Sequence, residues 1–336
     1  MTLPDPTHAD TNGADGPDGP DGRVSVVVLT YNRPEDLARV LRNLHALAES
    51  PAVVVVDNGS IKETAQAVLK DFPRVQYVRS ERNLGAAARN LGVAKVRTPF
   101  VAFCDDDTWW APGALRRAAD ILQDFPAVDV LAARVLVDEA QTIDPTCVRM
   151  AASPTGAGLP GPALVAFMAG AAVMRTAAFH AAGGYQERLF LGAEELLLAL
   201  DLLTAGGAIS YTPDVVTHHY PSPRARNETT AKTLTARNRM LIAWMRLPAG
   251  LALRYSLQVA VEAARDGVLR PALLGFVSHA VWALRCRCVV PRQVSRQVAR
   301  AFFGPAASGA PERQLTVQRV RTLGLQQGLP QAGDKP

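Results

Sequence analysis

The sequence predicts an α/β fold, a mostly parallel sheet flanked by helices in a Rossmann-like arrangement, followed by a basic helical C-terminal extension. Two observations predict it. Through the first two-thirds of the chain, continuous apolar β-branched runs alternate with amphipathic helical patterns, as βαβ units do. Each early run also ends in a polar cluster, and ligands of such sheets sit beyond the carboxyl ends of the strands. The clusters are therefore expected to converge on one crevice.

Residues 1–22 are a low-complexity tail of Asp, Gly and Pro, expected to be disordered. Order is expected from Val24–Thr30, a run suited to a strand buried on both faces. Tyr31-Asn32-Arg33-Pro34 then turns into a helix, with proline in the first turn and Leu37, Val40, Leu41 and Leu44 on one stripe. A second buried strand, Val53–Val56, runs into Asp57-Asn58-Gly59-Ser60, and a helix through Leu69 follows. Val75–Val78 reads as a third strand. Arg82-Asn83-Leu84-Gly85 leads into a small-residue helix with Arg89 and Asn90, and another apolar strand ends at Asp105-Asp106-Asp107.

Beyond Trp109, Trp110 and a helix start at Pro112, the pattern gives a helix over Leu115–Phe125 and a strand over Val128–Leu136. The stretch from Asp138 to Pro162, rich in Pro, Gly and Thr, reads as a loop. A short helix and Gly183-Gly184-Tyr185 come next. A helix carrying Glu194 and Glu195 then runs to Thr204 and stops at Gly206-Gly207. Ile209–Tyr211 reads as the final strand, with His218-His219 following after Pro213. From Thr230 the pattern is helical and basic, with two or three amphipathic helices between Leu251 and Phe303, broken near Pro271 and Pro291. The expected division is a tail (1–22), an α/β domain (23–220), a helical region (221–303) and a loose C-terminal tail (304–336).

The 336 residues carry a net charge of +5, unevenly spread: from Pro221 onward there are 18 Lys and Arg against 5 Asp and Glu. A basic C-terminal third suggests an anionic partner, such as a phospholipid surface or a lipid-linked phosphate. No aromatic-basic recognition motif supports nucleic acid. The four cysteines lack paired metal-ligand spacing, because Cys286-x-Cys288 is too close for the usual zinc pair. The first residues hold no apolar signal-peptide segment, and no stretch reaches the ~18 uninterrupted apolar residues of a membrane span. The expected location is cytoplasmic, free or peripheral on the inner face of the membrane.

Three adjacent carboxylates at a strand end repel one another. A hard divalent cation relieves the repulsion, since Mg²⁺ or Mn²⁺ takes oxygen ligands and commonly combines one or two carboxylates with substrate phosphates. The plainer alternative is a solvated acidic turn capping the next helix. Asp57-Asn58-Gly59 is likewise good turn chemistry, and a glutamate pair in a helix's first turn can merely compensate the dipole, worth ~0.3–1 kcal/mol.

Leu29-Thr30-Tyr31-Asn32-Arg33, Val55-Val56-Asp57-Asn58-Gly59-Ser60, Asn83-Leu84-Gly85 through Arg89-Asn90, and Asp105-Asp106-Asp107 occur in this order. Together they resemble the motifs of family 2 glycosyltransferases of the GT-A fold, over about Val24 to His219. The resemblance implies an inverting transfer of a sugar from a nucleotide-diphosphate donor to an acceptor hydroxyl, assisted by Mn²⁺ or Mg²⁺, in cell-surface polysaccharide or glycolipid assembly. It implies that Thr30, Asp57 and Asn58 face the nucleoside, and that Arg89 meets the diphosphate or base. Asp105 and Asp107 form the DxD pair at the metal and ribose-phosphate, with Asp106 toward the sugar. Gly183 to Glu195 resembles the segment in which an acidic pair opens a helix and its second member deprotonates the acceptor. Here that member is Glu195, beside Glu194, and Leu197 replaces an acidic residue often found two positions on. One of His218 and His219 resembles the family's histidine near the metal, and His218 is taken as the ligand. Trp109 and Trp110 read as core or pocket wall.

Two other classes compete. A nucleotidyltransferase shares the sheet and metal, but Thr30-Tyr31-Asn32-Arg33-Pro34 lacks the glycines of its phosphate loop. A non-catalytic binding module of degenerate transferase fold would be expected to lose the acidic residues, and the triple aspartate is present.

Overall fold

The computed structural model describes residues 20–61, 68–222 and 227–304, and the structural statements below concern these. The expected tails fall almost wholly outside them, as does part of the expected helix through Leu69. The fold is already engaged at Asp21, whose N–H donates to the Glu49 carbonyl (2.8 Å) and whose carboxylate pairs with Arg23 (2.6 Å).

The sheet grows outward from β1 (Val24–Thr30), buried along its whole length, as a continuous β-branched run is when both faces are covered. It pairs in parallel with β2 (Ala52–Asp57) on one side and β4 (Phe100–Asp105) on the other, and β3 (Gln76–Arg79) extends the parallel half beyond β2. The crossover helix α1 (Pro34–His45) begins at its proline and buries Leu37, Val40, Leu41 and Leu44, the stripe read from the sequence. Gly85–Ala88 forms one 3₁₀ turn that continues into α2 (Arg89–Val93).

Beyond β4 the sheet is less parallel than the sequence suggests. β8 (Ala172–Arg175) is antiparallel to both β4 and β6 (Val128–Val137). β6 is parallel to β9 (Ala208–His219) and antiparallel to the short β7 (Thr142–Ile143), and β5 (Thr108–Trp110) closes antiparallel on β9. Hydrophobic periodicity carries no strand direction, so this mixed half was not readable from it.

Two further expectations are corrected. The 138–162 stretch contains β7 and a helix, α4 (Pro145–Ala151), capped by Asp144, whose carboxylate accepts from the Thr146 N–H at 2.7 Å. An aspartate followed by proline is a legible helix start, masked here by the surrounding Pro and Gly. The last strand also does not stop before Pro213. It runs on to His219, and the proline sits where the β6 register jumps from Ala133↔Thr212 to Arg134↔Val216. A residue without an N–H is tolerated at such a bulge.

Helices α3 (Ala114–Asp124) and α5 (Thr176–Ala181) pack on the sheet, and α6 (Glu194–Thr204) leads into β9. The basic region forms four helices: α7 (Glu228–Arg246), α8 (Ala249–Arg265), α9 (Leu269–Arg285) and α10 (Arg292–Phe303). α7 joins this region to the α/β domain: Arg246 pairs with Asp201 of α6 at 2.5 Å. Its Asn238 Nδ2 donates to the carbonyls of Leu189 (2.8 Å), Leu191 (3.0 Å) and Gly192 (2.6 Å).

Gly85 holds the loop before α2 against the same segment. Its φ is +61°, a β-carbon there would lie 2.0 Å from the Phe190 carbonyl oxygen, and that oxygen accepts from the Ala86 N–H at 2.7 Å. Gly85→Ala is therefore expected to cost about 1–3 kcal/mol, read as an earlier urea midpoint with unchanged slope. An unaltered midpoint would show that the two loops are not locked together.

Candidate active site

Parallel register assembles the site. Thr30 lies opposite Asp57 across β1 and β2, and Leu29 lies opposite Asp105 across β1 and β4. Three polar clusters far apart in sequence therefore meet at one edge of the sheet. Asp106 accepts from the Thr30 hydroxyl (3.1 Å), the Tyr31 N–H (3.3 Å) and Arg33 Nη1 (3.1 Å). Arg33 also reaches Asp107 Oδ2 at 3.4 Å, and Arg89 pairs with Asp105. All five charged side chains are buried, so the acidic turn is not a solvated helix cap. Burial pushes Asp106 up to about 7 although Arg33 pulls it back, and burial also raises Asp107. Arg33 and Arg89 offset the three anions only in part.

Strand alternation separates the two histidines. β5 and β9 pair Trp109 with His218 and Thr108 with His219. His218 faces away from the aspartates and stacks on Trp109, ring centroids 5.8 Å apart. His219 faces the aspartates, its Nε2 3.7 Å from Asp107 Oδ1. Of the two, His219 and not the expected His218 stands beside the aspartates, because neighbouring residues of a strand point to opposite faces. Trp110 is core and Trp109 is half-buried, stacked also on Tyr220.

The 3.7 Å separation is too long for a hydrogen bond, and both Asp107 Oδ1 and His219 Nε2 are buried without a hydrogen-bond partner. Two orphaned, cation-seeking atoms side by side fit a divalent metal whose other positions a diphosphate and water would fill. No cluster of three or more protein ligands is preassembled among the described residues. Asp105, expected as a second ligand, is engaged by Arg89.

Asp57 and Asn58, expected beside the nucleoside, both have partners within the protein. The buried Asp57 carboxylate accepts from Tyr77 Oη (2.6 Å), Arg79 Nη1 (2.6 Å) and the Ser60 N–H (2.8 Å). Asn58 donates to Asn83 Oδ1 and the Gly85 carbonyl, both at 3.0 Å, and accepts from the Leu84 N–H at 2.8 Å. Asn58 thus clamps the loop before α2, with both amide hydrogens used inside the protein.

The acidic pair opens α6 behind a strained entry: Phe190, Gly192 and Ala193 have φ of 63°, 86° and 63°, held by Asn238 on the far side. Glu194 and Glu195 are both buried, which helix-dipole compensation at a surface would not require. Glu194 Oε2 has no hydrogen-bond partner, and neither has the hydroxyl of neighbouring Tyr185. Arg89 links the two halves of the site, paired with Asp105 and lying 5.7 Å over the Tyr185 ring. Glu195 lines a cavity of about 80 Å³ together with Arg149, Met150, Phe167, Met168 and Phe302.

Burial raises both glutamates, and the Glu194 charge adds to the rise at Glu195, which stands well above the ordinary carboxylate range. A carboxyl raised in the folded state stabilises the fold below its unfolded pKa, and that stability is lost as pH rises through the folded value. The melting temperature of the ligand-free protein should therefore fall from weakly acidic toward alkaline pH, and Glu195→Gln should flatten part of the fall. Identical pH dependence in the two proteins would remove Glu195 from that account.

Arg33, Tyr77, Arg79, Tyr185 and Asn238 were not singled out as site residues from sequence. Arg33 had the best signal, since it sits inside the first polar cluster. Asn238 had none, because its target loop lies far away in the chain.

Residues 25–182 match the family model described as glycosyl transferase family 2. The chain is 26% identical to the N-acetylglucosaminyl-diphospho-decaprenol L-rhamnosyltransferase of Mycobacterium tuberculosis, over 69% of this chain and 89% of that protein. Among solved structures, S. aureus TarS 1-349 superposes with a TM-score of 0.57 at 20% identity, covering 81% of this chain and 82% of that one. The chain spans 40% of a longer TarS structure. A mannosyltransferase from Pyrobaculum calidifontis, in complex with GDP-Man and Mn²⁺, gives a TM-score of 0.52 at 20% identity, covering 85% and 86%.

Proposed function

With residues 25–182 a glycosyl transferase family 2 domain on a GT-A fold, we propose that this nucleotide-sugar-dependent enzyme inverts the sugar it transfers, and that its acceptor is a glycan or lipid-linked hydroxyl in cell-surface polysaccharide or glycolipid assembly. One observation carries the reading. A buried aspartate cluster with orphaned ligand atoms and a buried glutamate pair beside a cavity stand on either side of Arg89.

On this reading the donor lies over the carboxyl ends of β1, β2 and β4. Thr30 and Asp57 border the nucleoside, and the diphosphate meets Asp105 to Asp107. Asp107 and His219 would hold the divalent cation, and Mn²⁺ or Mg²⁺ there would supply charge neutralisation of the departing diphosphate. Arg33 and Arg89 hold the aspartates apart and in place. The acceptor enters the cavity, where Glu195, ionised, takes the proton of the attacking hydroxyl. The acceptor oxygen bonds to the anomeric carbon as the bond to the diphosphate breaks on the opposite face. A raised pKa makes Glu195 the stronger base once it has lost its own proton.

Support for a lipid-linked acceptor comes from the apolar cavity walls and from the name of the mycobacterial relative, which specifies a diphospho-decaprenol. A panel of nucleotide sugars, with and without Mn²⁺, tests the reading by nucleotide release and thermal stabilisation. At least one donor should raise the melting temperature in a metal-dependent way, and failure of every donor would defeat it.

A further inference from the structure

We propose that the outer face of α8 and α9 docks on an anionic lipid surface. The two helices are consecutive, joined through 266–268, and both pack on α7. α8 does so through Ala252, Tyr255, Val259 and Ala263, and α9 buries Ala272 and Ala283. The faces turned away should be polar in a protein surrounded only by water. Instead, Leu253, Leu257 and Val261 form a stripe at four-residue spacing on α8, and Leu274, Val277, Val281 and Leu284 form one at three- and four-residue spacing on α9. All seven are 52–68% exposed. Single exposed apolar residues are ordinary, but stripes on two neighbouring helices mark an interaction surface.

The fringe of the face names the partner. Arg254, Arg265, Arg270 and Arg285 flank the stripes, are exposed, and pair with no carboxylate among the described residues. The acidic residues of α8 and its turn are occupied elsewhere: Glu262 pairs with Arg239 (2.6 Å) and Asp266 with Lys232 (3.3 Å). From Leu269 to Phe303 there are six arginines and no Asp or Glu. A second copy of the chain would set arginines against arginines across a twofold axis. An anionic headgroup layer satisfies them while the acyl boundary covers the leucines and valines. No helix among the described residues is long and apolar enough to cross a membrane, so contact is with one surface.

The two tryptophans of the helical region are not part of these stripes. Trp244 is half-buried, and Trp282 is half-buried beneath Arg188, whose guanidinium lies 5.5 Å from its ring centroid. The face also reaches the cavity: Arg254 lies 4.0 Å over Phe303, the neighbour of cavity-lining Phe302. Docking would hold the mouth of the cavity beside the lipid. The inference stands on these helices alone and does not depend on Glu195 acting as a base.

The test is co-sedimentation of the full chain with phosphatidylcholine vesicles, with and without phosphatidylglycerol, at low and high salt. Binding should require phosphatidylglycerol and weaken with salt. Arg270→Gln and Arg285→Gln should each weaken it about fivefold. Val277→Glu with Val281→Glu should abolish it while the melting temperature and donor-dependent nucleotide release hold. Absence of binding at low salt, or equal binding to pure phosphatidylcholine, would overturn the proposal. So would a dimer in sedimentation velocity that the Val277/Val281 variant dissociates, because the face would then belong to a second copy.

Discussion

Glu195→Gln is expected to lower the rate of sugar transfer by about 10²–10⁴-fold, the usual contribution of a general base, while leaving donor affinity nearly unchanged. Glutamine keeps the size and can still hydrogen bond, but it cannot take up the acceptor proton. Glu195 lies on the cavity wall and not among the aspartates, so the loss should fall on turnover. Removing a charge that burial and Glu194 both disfavour should also leave the variant folded at neutral pH, so an inactive protein could not be dismissed as an unfolded one. Glu194→Gln is the matched control: it stands closer in charge to Arg89 and should affect activity less. Near-wild-type turnover in Glu195→Gln would clear that residue. If neither substitution matters, a non-catalytic binding module becomes the better reading.

Asp107→Ala should abolish the metal dependence of donor binding and weaken donor affinity in Mn²⁺ by more than about a hundredfold, given that even outer-shell partners of a metal typically contribute 10–100-fold. The motive is the buried Asp107 Oδ1 and His219 Nε2, side by side at 3.7 Å and neither with a hydrogen-bond partner. Arg33 keeps its hydrogen bond to Asp106 in the variant, so its buried charge is not stranded and the fold should survive. Calorimetry of donor binding with and without Mn²⁺ reads the effect. Unchanged affinity and unchanged metal response would move the ligand role elsewhere. His219→Ala should share the phenotype and His218→Ala should not, which separates the two neighbours directly.

Much of this protein could be read in one dimension. Buried strands such as β1 and β2 are continuous runs of valine and leucine, and α1 announces itself by its proline and its apolar stripe. The polar clusters follow strand ends, so their convergence was predictable from topology alone. Where reading stopped, the reason was physical. Pro213 looked like a terminator because nothing local says that a bulge will absorb it. The choice between His218 and His219 needed the phase of a strand that appeared to have ended. Asn58 resembles a ligand-binding side chain until the loop at Asn83 to Gly85 is seen folded onto it.

By itself, then, the order of residues determined most of the elements and the acidic crevice. These depend on short-range patterns: alternation, helical spacing and motifs confined to a few consecutive positions. Tertiary structure decided the rest. It set which histidine faces Asp107, that Arg33 and Arg89 divide the three aspartates, and that Asn238 on α7 holds the entry to α6. It also decided that the apolar residues of α8 and α9 face outward. Each of these is a contact, or the lack of one, between segments distant along the chain, and periodicity within a segment says that a side chain is apolar without saying what covers it.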